Sequence, residues 1–197
     1  MLITKDGAFY RQYLPHYRSP GCIYHCRFSV NPSDQRFRFT EDWMFATVET
    51  SILADHKKEC LIYAYVVMAD HTHVIVQPLP KVNDPFAWCD YGAFYPLERI
   101  AGRIKGRSAR LINQRSGRSG TLWQRESYDR SVRGRRDLEN AIDYLHHNPV
   151  RWKLVESPEQ YRWSSLRTIY SGEEKYLGWF DLPYLTNRMR QNGQCPG

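Results

Sequence analysis

The sequence predicts an α+β sandwich, with helices packed on one face of an antiparallel sheet and the other face free for a ligand. Three observations carry this. Apolar residues recur at helical spacing in three stretches, which begin at Trp43, Leu97 and Asp137. Short β-branched and aromatic runs alternate with them: Cys22 to Val30 (CIYHCRFSV), Cys60 to Met68 (CLIYAYVVM) and His71 to Gln77 (HTHVIVQ). The last two are separated only by Ala69-Asp70, a hairpin turn, so the centre of the sheet is antiparallel.

Each element has local support. Residues 1–20, with Pro15 and Pro20, read as an irregular N-terminal arm. Asn31-Pro32 stops the first strand. Met44, Val48, Ile52 and Leu53 give the first helix, Trp43 to His56, its apolar face. Residues 79–96 form an aromatic-rich connection. The second helix, Leu97 to Asn113, has the stripe Leu97, Ile100, Ala101, Ile104, Leu111 and Ile112, with Gly117 and Gly120 closing it. A further strand is expected within Trp123 to Val132. Asp137 is the expected N-cap of a third helix with stripe Leu138, Ala141, Ile142 and Leu145, ended by Pro149. The chain divides into the arm (1–20), a single domain (21–166) and a C-terminal tail (167–197).

Composition removes several classes. At 197 residues and 42% hydrophobic content the chain can fill a core, which excludes a disordered polyelectrolyte. The longest apolar run, Cys60 to Ala69, falls short of the ~20 residues of a membrane helix. Lys5 and Asp6 stand where a signal peptide would place its apolar stretch, so a soluble, cytoplasmic protein is expected, without a membrane partner. The five cysteines are odd in number and irregular in spacing, which suits reduced thiols.

The net charge of +7 is unevenly spread. From Leu97 to Arg136 there are twelve cations, Arg99, Arg103, Lys105, Arg107, Arg110, Arg115, Arg118, Arg125, Arg130, Arg133, Arg135 and Arg136, against Glu98, Glu126 and Asp129. Eleven of the twelve are arginine, whose planar fork suits phosphate contacts and stacking on bases. A solvated helix face would mix the signs, so this stretch reads as a nucleic-acid surface, with the first ten cations as the expected DNA contacts.

Two pairs of residues carry potential chemistry. His71 and His73 are two apart on a strand, so both rings point to one face. They are either two legs of a divalent-metal site or ordinary strand histidines. Tyr144 and Asn148 are four apart and share a helix face. By spacing alone they read as a boundary tyrosine packing its ring and an asparagine cap. His146 and His147 flank the tyrosine and read as DNA-facing or solvated, and Trp123, Tyr128, Tyr13 and Tyr17 as possible stacking platforms, with core as the alternative for Trp123.

YAYVVMADHTHVIVQP resembles the His-hydrophobe-His segment of the HUH single-strand nucleases, and AIDYLHHNPVRWKLV resembles the tyrosine helix of IS200/IS605-type Y1 transposases. With the linking stretch from Leu97, and LPHYRSPGCIYHCRFSV near the N-terminus, the chain looks most like the REP-associated tyrosine transposases, from about Leu14 to Ser165. The resemblance implies a ferredoxin-like or RRM-like fold. It implies that His71, His73 and Asn148 hold Mg²⁺ or Mn²⁺ and that Tyr144 is the nucleophile. The implied reaction is nicking and strand transfer on single-stranded REP-type hairpins through a 5′-phosphotyrosine, by a monomer or homodimer with no small-molecule cofactor. Thr72 departs from the bulky hydrophobe between the histidines. The alternatives are a hairpin-binding protein that does not cut, and an RNA-binding module.

Overall fold

The computed structural model describes residues 2–4, 7–11, 15–31, 37–81 and 90–166. The strands are β1 (Leu2–Thr4), β2 (Gly7–Arg11), β3 (Pro15–Arg18), β4 (Ile23–Ser29), β5 (Cys60–Val67), β6 (His71–Pro78) and β7 (Tyr128–Val132). The α-helices are α1 (Asp42–Leu53), α2 (Leu97–Ser116), α3 (Gly134–His146) and α4 (Asn148–Arg151). The main sheet runs β5-β6-β4-β7, with every neighbouring pair antiparallel. Helix α1 joins β4 to β5 and α2 joins β6 to β7, so the domain is ferredoxin-like.

Burial explains why β5 and β6 read as near-continuous apolar runs. All eight residues of β6 are buried, because helices cover both of its faces. On one face Tyr24, Cys26, Phe28, Val74 and Val76 pack with Val48 and Ile52 of α1 and Ile100, Ile104 and Ile112 of α2. A β-bulge between Ile62 and Ala64 resets the alternation of β5, which keeps both Ile62 and Tyr65 on that face. Leu111 is 41% exposed, contrary to the expected stripe. Ser108 takes the inward place, donating to the Ile104 carbonyl and accepting from Trp123 Nε1 at 3.0 Å. Trp123 is therefore core, and β7 starts five residues later than the expected strand.

The other face is not left open. Leu138, Ala141 and Leu145 of α3 pack on Ile23, Ala64, Val66 and Ile75. The reason lies in α3 itself: its apolar stripe needs a partner, and the first face is already filled. The helix begins at Gly134, three residues before the expected cap. Asp137 still serves that end from within the first turn, accepting from the Arg133 backbone N–H at 2.8 Å and from the Arg130 guanidinium. Beyond α4, residues 161–165 are tied to the sheet: the Val67 N–H donates to the Trp163 carbonyl at 2.9 Å, and Tyr161 donates to the Val67 carbonyl at 2.8 Å.

The arm departs from expectation, since β1, β2 and β3 form a small antiparallel sheet. Strands of three to five residues hold too few alternations to be legible. The tail, 167–197, lies outside the described residues, as do Tyr13 and residues 82–89 of the aromatic connection. Cys22 is disulfide-bonded, against the expectation of reduced thiols, and Cys26 and Cys60 are buried. Among the described residues no helix is long and apolar enough to cross a membrane.

Candidate active site

Strand alternation delivers His71 and His73 to the α3 face, opposite Val74 and Val76. Their rings lie 5.1 Å apart at 89° and are 2% and 5% exposed as residues. His71 Nδ1 is 2.6 Å from Asp70 Oδ1, and His73 Nδ1 is 3.0 Å from His25 Nε2 on the neighbouring strand. With Nδ1 so engaged, Nε2 is the nitrogen each ring keeps for a ligand. Burial holds all three rings neutral. It pushes His73 down to about 2 and His25 down to about 4, and it lowers His71 despite the opposing pull of Asp70. Neutral imidazole is the form that binds a metal.

Tyr144 precedes Leu145, which is fully buried. One residue is about 100° of helix rotation, so the tyrosine emerges at the edge of the packed stripe, 42% exposed. Its ring centroid is 6.1 Å from those of both His25 and His73, each contact edge-on. The Arg151 guanidinium carbon sits 4.4 Å above the ring centroid. Asn148 lies one turn on and is 4% exposed; its amide Nδ2 is 3.4 Å from the Tyr144 carbonyl, which leaves its oxygen for another partner. Among the described residues no three His, Cys, Asp or Glu side chains are arranged to hold a metal. The paired rings of His71 and His73 offer two neutral imidazole donors on one sheet face. This pair fits a divalent ion that takes its remaining ligands from water and substrate.

No family model matches the chain. A Haemophilus influenzae protein described as a REP-associated tyrosine transposase is 27% identical over 136 residues, covering 66% of this chain and 75% of that one. A solved structure of a REP-associated tyrosine transposase bound to a REP hairpin superposes with a TM-score of 0.59 at 18% identity, covering 83% of this chain and 85% of that one. The chain is thus similar in sequence to a REP-associated tyrosine transposase and shares the fold of another.

The basic stretch splits into two populations. Arg99, Arg103 and Arg107 turn inward to Glu59 and Asp55, at 2.7 to 3.0 Å. Lys105 donates to the Arg125 carbonyl, Arg130 to Asp137, and Arg135 to Glu139. Arg115 lies over Trp43 and Arg118 over Phe37. Arg110, Arg125, Arg133 and Arg136 are exposed. His146 is not DNA-facing: it is 4% exposed, with Nε2 2.8 Å from Ser165 Oγ, whereas His147 is exposed beside Asp143. Thr72 faces the apolar side, and its buried hydroxyl has no partner, which is the local consequence of the departure from the family pattern.

Three neighbours of the site were missed by sequence reasoning. His25 and Arg27 alternate with Tyr24, Cys26 and Phe28, so the period-two pattern of β4 already placed both on the histidine face. Trp152, 59% exposed with its ring 6.1 Å from that of His71, had no sequence signal, because its place depends on how the chain turns after α4.

Proposed function

We propose that this protein nicks and rejoins single-stranded DNA at REP-type hairpins, with Tyr144 as nucleophile. The observation that carries the reading is an exposed phenol ring 6.1 Å from the ring of His73, itself paired with His71 on one sheet face. A tyrosine serving only to pack would be buried with Leu145. His71 and His73, with Asn148, would hold Mg²⁺ or Mn²⁺, which when bound supplies Lewis-acid polarisation of the scissile phosphate.

The chain's own residues do the rest. Tyr144 Oη loses its proton and bonds to phosphorus, while the bond from phosphorus to the 3′-oxygen breaks and that oxygen takes up a proton. The product is a 5′-phosphotyrosine and a free 3′-OH. The phosphodiester energy is retained, so the reverse attack rejoins a strand. Arg151 restrains the ring from above, and His25 holds His73 in the tautomer that keeps Nε2 free. The exposed Arg110, Arg125 and Arg133 are the members of the basic stretch best placed to meet phosphates. A hairpin substrate is supported by the related transposase solved with a REP hairpin.

Incubation with labelled hairpin DNA and Mn²⁺ should give an adduct that survives denaturing electrophoresis. Tyr144→Phe should abolish the adduct and keep hairpin affinity. Salt-sensitive binding without an adduct, indifferent to metal and to His71→Ala, would instead establish a protein that binds hairpins without cutting them.

A further inference from the structure

The antiparallel register lines up one row across the α3 face: Val66 on β5, His73 on β6, Arg27 on β4 and Tyr128 on β7. Directly opposed residues share a face, so the imidazole, the guanidinium and the phenol stand side by side over two strand spacings, about 10 Å. Arg27 is exposed and Tyr128 is 53% exposed. Beside His71 Trp152 presents its indole, its ring 6.1 Å from the imidazole and tilted at 53° to it. The chain holds this tryptophan firmly. Trp152 N–H donates to the Asn148 carbonyl, Lys153 N–H to Val150 and Leu154 N–H to Pro149, and Lys153 adopts the left-handed conformation with φ 56°.

Grouped exposed aromatics mark a binding surface, and here Trp152 lies beside His71 while Tyr128 shares the row of His73, with Arg27 between His73 and Tyr128. Alternating rings and positive charge are the features that hold single-stranded nucleic acid without reading its sequence.

We propose that the single strand next to the scissile phosphate lies along this row, with one base stacked on Trp152, another on Tyr128, and an intervening phosphate on Arg27. The track rests on the nuclease reading for its substrate and goes beyond it in naming where the flanking nucleotides sit. It makes Trp152 and Tyr128 specificity-neutral anchors that fix which phosphate faces the histidines. The hairpin stem is left to other basic surfaces.

The test compares two oligonucleotides by fluorescence anisotropy: a REP-type hairpin with short single-stranded tails on both sides, and the same hairpin without tails. Trp152→Ala and Tyr128→Ala should each weaken binding of the tailed hairpin about tenfold and leave the tail-less one unchanged. Trp152→Phe should restore most of the loss. Arg27→Gln should lower the slope of log affinity against log salt by about 0.7 for the tailed DNA. Both alanine variants binding the tailed hairpin as the wild type does would overturn the track, and so would an equal loss on both DNAs. If the discrimination between tails persists but no Tyr144 adduct ever forms, the track stands and the nicking reaction falls. Wild-type protein that binds neither DNA would remove both.

Discussion

The two faces of the central sheet share the same strands and diverge completely in chemistry. Beneath α1 and α2 the centre of the face is apolar, built from Tyr24, Cys26, Phe28, Val74 and Val76. Beneath α3 the apolar packing covers Ile23, Ala64 and Ile75 and then gives way to His25, Arg27, His71 and His73. A strand of period two can therefore supply core and site at once, provided its register is fixed; a slip of one residue would turn the imidazoles toward α1 and α2 and the valines toward α3. The filled face sets that register, and the mixed face exploits it.

The sharpest way to break the comparison is to damage the apolar half of the mixed face. Leu145→Ala removes a fully buried side chain that seats α3, and should destabilise the protein by about 3 kcal/mol in urea unfolding, taking adduct formation with it. A loss under about 1 kcal/mol would mean that α3 is not seated as described. Next comes the polar half. His25→Gln should lower Mn²⁺ affinity about 10- to 100-fold by calorimetry with the melting temperature nearly unchanged, because only the orientation of His73 is lost.

Acid should separate the faces further. Burial holds His146 down to about 4 in the folded protein, against an ordinary value of 6.5. The unfolded chain takes up the proton first, so this contribution is fully present above 6.5 and is lost as pH falls from 6.5 toward 4. The slope is about 1.4 kcal/mol per pH unit for such a ring. His146→Gln should flatten the decline of urea midpoint between pH 7 and pH 5; an identical decline in the variant would refute the assignment. The smallest effect is expected on the apolar face. Thr72→Val replaces its buried, unpartnered hydroxyl with a methyl group and should raise stability by about 1 kcal/mol, visible as a higher urea midpoint.

The basic stretch teaches a related lesson about what charge counting can see. Twelve cations against three anions in sequence marked a polyanion surface. In space, Asp55 and Glu59 arrive from the α1–β5 connection and hold Arg99, Arg103 and Arg107 against the body of the domain. Carboxylates forty or more residues away in the chain were invisible to a local count. Arg27, outside the stretch, entered the site face for the same reason, through strand pairing with His73.

Several features were legible without coordinates because they depend on nearest neighbours in the chain. The alternation that puts His71 and His73 on one side, the Ala69-Asp70 turn, the glycine that ends α2 at φ 64°, and the four-residue step from Tyr144 to Asn148 are all of this kind. Local steric and hydrogen-bonding rules set each of them. Which face receives α3, which arginines are engaged, and that His25, Tyr144 and Trp152 gather around the histidine pair were decided only by tertiary packing. Those outcomes follow from competition for buried area among elements distant in sequence, and no local pattern encodes who wins it.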